Sequence, residues 1–98
     1  MKPDKVTADA RGWIESALLH NAAWIALHDA AVSLHGQSAL TSGIGNAGNA
    51  EWCVKDSLRN LSHNRDECMD RSLKVWRAAG RRAPTWRRLR DEMMAVQP

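Results

Sequence analysis

The sequence predicts an all-α fold, a small bundle of three to four helices, on three observations. Apolar residues recur at three- and four-residue spacing over two stretches of nearly thirty residues, Ala8 to His35 and Ala50 to Ala79. No stretch alternates with the period of two that a half-buried strand needs, and no internal repeat is present. Glycine and proline fall chiefly between the periodic stretches, at Gly36 to Asn49 and at Gly80 to Pro84. With 98 residues the chain is read as a single helical domain over 1–98.

The first element is a long helix from Ala8 to His35, with Thr7 or Asp9 as its N-cap and Gly36 as its stop. On a wheel of about 100° per residue, Ala17, Leu18, Asn21, Ile25, His28 and Val32 lie within about 60° of Ile14. Leu19, Ala23, Ala26, Ala30 and Leu34 lie on the opposite side, so both sides are apolar. A helix of that kind is central in its domain or half covered by a partner. Gly36 to Asn49, rich in Gly, Asn, Ser and Thr, reads as a long flexible loop over 36–49.

From Ala50 to Ala79 the chain is helical again, with Asn49 as N-cap and Gly80 as stop. Val54, Leu58, Leu61, Cys68, Met69, Val75 and Trp76 share one face, and that register survives across Ser62-His63-Asn64. Helices of thirty residues are rare in small domains. The expectation is therefore two helices with a corner at Ser62-His63-Asn64, rather than one helix of about 45 Å. Pro84 and Thr85 then open a short last helix in which Trp86, Leu89 and Met93 repeat at three and four.

Charge is unevenly spread. Up to Met69 there are 6 basic and 8 acidic residues; from Asp70 onward there are 8 basic and 3 acidic. The aromatic residues are five Trp with no Phe or Tyr, so each aromatic anchor brings an N–H that needs a partner when buried. Trp76 and Trp86 share faces with Val75, Ala79, Leu89 and Met93 and are expected in the core, close together across the Gly80 to Pro84 corner. The longest apolar run, Ala22 to Leu27, is too short to span a membrane, and Lys2-Pro3-Asp4-Lys5 after Met1 does not resemble a secretory signal. Cys53 and Cys68 make no disulfide framework, which points to a reducing, cytoplasmic setting.

Three constellations suggest chemistry. His20, His28 and His35 share an arc of the first helix, but spacings of eight and seven residues separate them by roughly 12 Å and 10 Å along the axis, too far to share one ion. Cys53, His63 and Cys68 lack the paired spacing of a zinc site, and two buried thiols are expected instead. Arg59 and His63 stand four apart on one helix face, so a guanidinium could hold a phosphate while an imidazole moves a proton. Arg59-Asn60 followed by His63 resembles the motif of HEPN ribonucleases, although three residues separate Arg from His where that family has four to six.

The basic end offers a binding surface. Arg77, Arg81, Arg82, Arg87, Arg88 and Arg90 could meet a protein partner or track phosphates, and Trp76-Arg77 and Trp86-Arg87-Arg88 interleave indole with guanidinium. The Leu19, Ala23, Ala26, Ala30 and Leu34 side of the first helix is a second candidate interface. No residue pair qualifies as a catalytic site, and no metal or cofactor is expected.

Residues 63–93 carry one further signal. Leu73 and Trp76 close a helix, a polar corner follows, and Pro84-Thr85-Trp86 with Leu89 and Met93 opens the next. This stretch resembles the middle of the death-domain superfamily, whose sixth helix would begin where this chain ends. The resemblance implies homotypic helical assembly. The expected function is that of a small non-enzymatic interaction protein (an adaptor, inhibitor or complex subunit) that docks on a protein partner or on copies of itself. The alternative is a basic helical subunit that binds nucleic acid within a nucleoprotein complex, and the third reading is a HEPN-like ribonuclease.

Overall fold

The computed structural model describes residues 4–35 and 50–95. They form three helices: α1, Lys5–His35; α2, Ala50–Ala78; and α3, Trp86–Ala95. No strand occurs among the described residues, and the fold is a small all-α bundle. The expected loop over 36–49 lies outside the described residues.

α1 starts three residues earlier than the sequence suggests. Its cap is Asp4, not Thr7 or Asp9: Asp4 Oδ1 accepts the Thr7 backbone N–H at 2.8 Å, and the Asp4 carbonyl accepts the Ala8 N–H at 3.0 Å. A carboxylate in that position satisfies a donor at the helix start and sits at the positive end of the helix dipole.

α1 and α2 form a long antiparallel hairpin, and their cross-contacts show the direction. Arg65 Nη1 donates to Asn21 Oδ1 at 3.0 Å, Ser16 Oγ meets Cys68 Sγ at 3.3 Å, and the Arg71 guanidinium lies 5.1 Å from the Trp13 ring centre. Arg81, just past α2, reaches Thr7 Oγ1 at 3.0 Å. Numbers fall along one helix as they rise along the other. The molecule measures 50 × 23 × 21 Å, close to the length of the hairpin itself.

α2 is one helix, which corrects the expected break at Ser62-His63-Asn64. Weak local propensity is overridden by contacts on both sides of those residues. Arg65 ties Ser62 Oγ at 3.1 Å to Asn21 of α1, so the suspect turn is clamped from within and across the hairpin. Leu58 and Cys68, one before and one after it, are both buried. Outward, Glu67 pairs with Arg71 at 2.9 Å and Asp70 with Lys74 at 2.8 Å, both at the four-residue spacing that supports a helix.

α2 ends in a Schellman motif. Gly80 N–H donates to the Arg77 carbonyl at 2.9 Å and Arg81 N–H to the Trp76 carbonyl at 3.3 Å, with Gly80 at φ +77°. Only glycine takes that left-handed conformation without cost. Thr85 then caps α3, its Oγ1 accepting the Arg88 N–H at 3.2 Å. α3 buries Leu89 and Met93 against Ala10, Ile14, Trp76 and Ala83.

The position of α3 sets how far the three-helix cluster extends along the hairpin. It packs on the N-terminal half of α1 and the C-terminal half of α2, reaching Ala17, Leu18, Asn21, Arg65 and Met69 through Trp86 and Arg90. Ile25, expected on the core face with Ile14, lies one turn beyond that reach and is 47% exposed. Cys53, expected to be buried, is exposed, whereas Cys68 is buried. Trp76 is buried at 6% exposure, and Trp86 is half-buried against the same cluster.

Candidate functional site

Two surfaces stand out, one basic and one apolar. The basic one is built around Trp76. Its indole Nε1 donates to the Arg82 carbonyl at 2.9 Å, which bends the chain over the ring immediately after α2. Arg77 closes the same corner, its Nη2 donating to the Ala83 carbonyl at 2.6 Å. The Arg81 guanidinium lies over the Trp76 ring, 4.8 Å from its centre, and ion-pairs with Asp4 Oδ2 at 2.7 Å. Arg90 pairs with Asp91 at 2.9 Å and lies 5.6 Å from the Trp86 ring centre.

The six arginines of the basic end therefore divide. Arg77, Arg81 and Arg90 are engaged in holding the corner, the start of α1 and the face of α3. Arg82, Arg87 and Arg88 are exposed and make no ion pair with a carboxylate among the described residues. What remains for a ligand is three exposed guanidinium groups, Arg82 in the corner after α2 and Arg87 and Arg88 in the first turn of α3. Asp4 and Thr7 belong to this site as well, although charge counting along the chain does not reveal them. The one signal was local, a short acidic residue three positions before a threonine at a helix start.

Electrostatics at this corner are tight. The Arg81 side chain, and next the Thr7 backbone N–H, hold the Asp4 carboxyl well below the usual carboxylate range. On the surface of α2, hydrogen bonding from Arg71 lowers the Glu67 carboxyl in the same sense.

The second surface is the outer side of α1. Leu19 and Leu34 are 71% and 79% exposed, and Ala23, Ala26 and Ala30 between them are exposed as well. The structure thus brings all five predicted interface residues of α1 to solvent along one line. The inner side of the same helix supplies the buried Ala10, Ile14, Ala17 and Ala31.

Between the three helices lies an open cleft of about 250 Å³, lined by Ala17, Leu18, Asn21, Arg65, Asp66, Met69, Trp86 and Arg90. Its charged groups are already partnered: Arg65 by Asn21, Ser62 and Asp66, Arg90 by Asp91. Trp86 Nε1 is buried without a partner, yet it has no exposed surface through which a molecule in the cleft could reach it.

The remaining constellations are placed as follows. Arg59 and His63 stand on the exposed surface of α2, with His63 Nε2 3.9 Å from Glu67. His20 Nδ1 lies 2.7 Å from the Ser16 carbonyl, and His28 stacks on Trp24 at 4.9 Å. The His35 side chain lies outside the described residues. No group of three or more His, Cys, Asp or Glu among the described residues is placed to hold a metal ion, and no described helix is long and apolar enough to cross a membrane.

Comparison with protein-family models, with curated proteins and with solved structures finds no match to this chain. The fold and its two surfaces define the class: a helical hairpin with a short third helix packed on one end.

Proposed function

We propose that this chain is a small, non-enzymatic helical interaction protein that acts as an adaptor, inhibitor or complex subunit by docking its α1 face onto protein. The observation that carries the reading is the unbroken apolar line from Leu19 to Leu34 on a helix whose other side already supplies the core. Isolated exposed leucines are ordinary, but a contiguous apolar strip on a small protein marks an interaction site. The mode implied by the death-domain resemblance, homotypic assembly, is compatible with such a strip. The unpaired thiols of Cys53 and Cys68 suit a reducing compartment, and we place the protein's work in the cytoplasm.

A second reading has its own support. Arg82, Arg87 and Arg88 leave unpaired positive charge at the α3 end, which fits a nucleic-acid-binding subunit. One experiment separates the two. The full chain serves as bait in native lysate, with nuclease-treated and untreated arms, beside a Leu19→Glu, Leu34→Glu variant. Both substituted positions are exposed, so the variant keeps its fold. The docking reading expects protein captured in both arms and lost in the variant. Capture that vanishes with nuclease and survives the variant replaces it with the nucleic-acid reading.

A further inference from the structure

The corner after α2 carries more positive charge than the fold uses. Arg77, Arg81 and Arg82, with Ala83 and Pro84, line one open cavity of about 430 Å³. Two of these side chains are fixed from behind. Arg77 donates through Nε and Nη2 to the Ala83 carbonyl, and Arg81 lies over the Trp76 ring and donates to Thr7 Oγ1 and Asp4 Oδ2. Each thereby uses two of the five N–H groups that a guanidinium carries. The Arg82 side chain makes no hydrogen bond among the described residues, while its backbone carbonyl is held by Trp76 Nε1. Arg77 and Arg81 therefore hold the corner without exhausting their donors, and the groups around the cavity are positioned before any ligand arrives.

Charge and shape together select the ligand. Counting Asp4 against Arg81, the corner keeps a formal charge of about +2, and no carboxylate pairs with Arg77 or Arg82 among the described residues. Like charges gathered around one cavity repel, and an anion that enters relieves them. A phosphate monoester brings about −1.5 to −2 of charge and three acceptor oxygens that suit guanidinium forks. A phosphodiester brings a single charge, and a nucleic-acid backbone rewards cations in a row rather than three around one cavity. Because the cavity is open and its uncharged wall is only Ala83 and Pro84, it grips an anion and leaves the rest of the ligand outside. Such an anion is best presented on a short side chain of a larger molecule. The Trp76 ring is buried and covered by Arg81, so it offers no face for an aromatic body.

We propose that Arg77, Arg81 and Arg82 form a pocket for a phosphate monoester dianion carried on a phosphorylated serine or threonine of a protein partner. Thr7, which Arg81 touches, stands about 18 Å along α1 from Leu19. The pocket is thus separate from the α1 strip, goes beyond the docking reading and can fail without it.

The test follows backbone amide signals of the full chain by NMR at about 0.15 M salt. Four probes are titrated: a glycine-flanked phosphoserine peptide, the same peptide with serine, the same with glutamate, and a short oligodeoxythymidine. The phosphoserine peptide should shift the amides of Gly80 to Ala83 with a Kd of about 1 mM or lower, and the other three should bind at least about tenfold more weakly. Arg82→Ala should weaken the phosphopeptide about tenfold, and Arg82→Lys should recover only part of that, since the planar fork is lost. Arg82 is exposed and meets Trp76 through its backbone, so both variants keep the fold. Arg87→Ala with Arg88→Ala should leave the Kd within about twofold, because those charges act only through screened solvent. No shift with about 10 mM phosphopeptide removes the inference. A glutamate peptide that binds as tightly overturns the phosphoryl assignment, and equal losses from Arg82→Ala and from the Arg87, Arg88 pair overturn the pocket. An oligonucleotide that binds more tightly than the phosphopeptide and needs Arg82 gives the corner to the nucleic-acid reading. The Leu19→Glu, Leu34→Glu variant should titrate like the parent, so a lost capture of protein from lysate removes the docking reading alone.

Discussion

Truncating Trp76 should unfold the end of the molecule that α3 closes. The ring is 6% exposed in the cluster with Ala10, Ile14, Leu89 and Met93, and its Nε1–H holds the Arg82 carbonyl at 2.9 Å. It is also the platform for Arg81, which reaches back to Asp4 and Thr7. Burying a Trp removes about 150–250 Å² from water, worth about 4–6 kcal/mol at 25 cal/mol per Å² as an upper bound. Measured truncations of buried aromatics cost about 3–5 kcal/mol. Whole domains hold about 5–15 kcal/mol, and each kcal/mol moves Tm by about 4–8 °C at this size. Trp76→Ala should therefore lower Tm by about 12–40 °C or abolish cooperative folding. Trp76→Phe keeps an aromatic ring in the cluster and loses the donor and part of the buried ring volume. Because Arg82 is exposed, water can replace that bond, and the loss should stay below that of the alanine variant, at about 1–3 kcal/mol. Circular dichroism melts on both variants decide the matter. An alanine variant that melts within about 5 °C of the parent refutes the claim that this ring anchors the three helices.

Three further outcomes follow from the same corner. Gly80→Ala should cost about 1 kcal/mol in urea unfolding although nothing lies within 4 Å of an added Cβ, because φ is +77° and the penalty is conformational; an unchanged midpoint would contradict the Schellman assignment. Asp4→Asn should destabilise the protein at pH 7 and progressively less as pH falls. The folded carboxyl is held below its unfolded value of about 3.9, so its contribution is complete above that pH and fades as pH drops through it toward the folded value. Thermal melts of parent and variant at neutral pH and near pH 2.5 read this directly, and a gap that does not narrow in acid argues against the Arg81–Asp4 contact. Arg87→Ala with Arg88→Ala should leave the melt unchanged within about 0.5 kcal/mol, since both side chains are exposed and unpaired among the described residues. If the basic end binds nucleic acid, the double variant should also flatten the log–log salt dependence of oligonucleotide binding by about 0.7–0.9 per lost phosphate contact.

The local chemistry of the chain was legible wherever one residue decides a backbone conformation. Gly80 as a stop and Thr85 as a cap are properties of a few neighbouring atoms, and both occur where the sequence places them. Helical period likewise separates the two apolar sides of α1, and the residues Leu19, Ala23, Ala26, Ala30 and Leu34 do share one exposed line. Periodicity specifies rotation about a helix axis and nothing more. It could not show that α3, at ten residues, would stop short of Ile25, or that Cys53 would stand in solvent while Cys68 is covered.

The tertiary structure decided the rest, through contacts between residues distant in sequence. Propensity at Ser62-His63-Asn64 argues for a break, and the continuous α2 exists because Arg65 joins Ser62 to Asn21 across the hairpin. Thr7, Asp9 and Asp4 are all competent caps by type; Asp4 is used, and Arg81 arrives from the far end of the chain to share it. The six arginines of the basic end look alike in sequence, yet folding commits Arg77, Arg81 and Arg90 to holding the corner and leaves Arg82, Arg87 and Arg88 outside it. Sequence alone determined that this protein is helical, where its last two helices stop and start, and that both sides of its first helix are apolar. Which of those sides is buried, and which charges stay free, depends on how α2 and the ten-residue α3 pack against α1, and such packing is a balance of contacts that no local window contains.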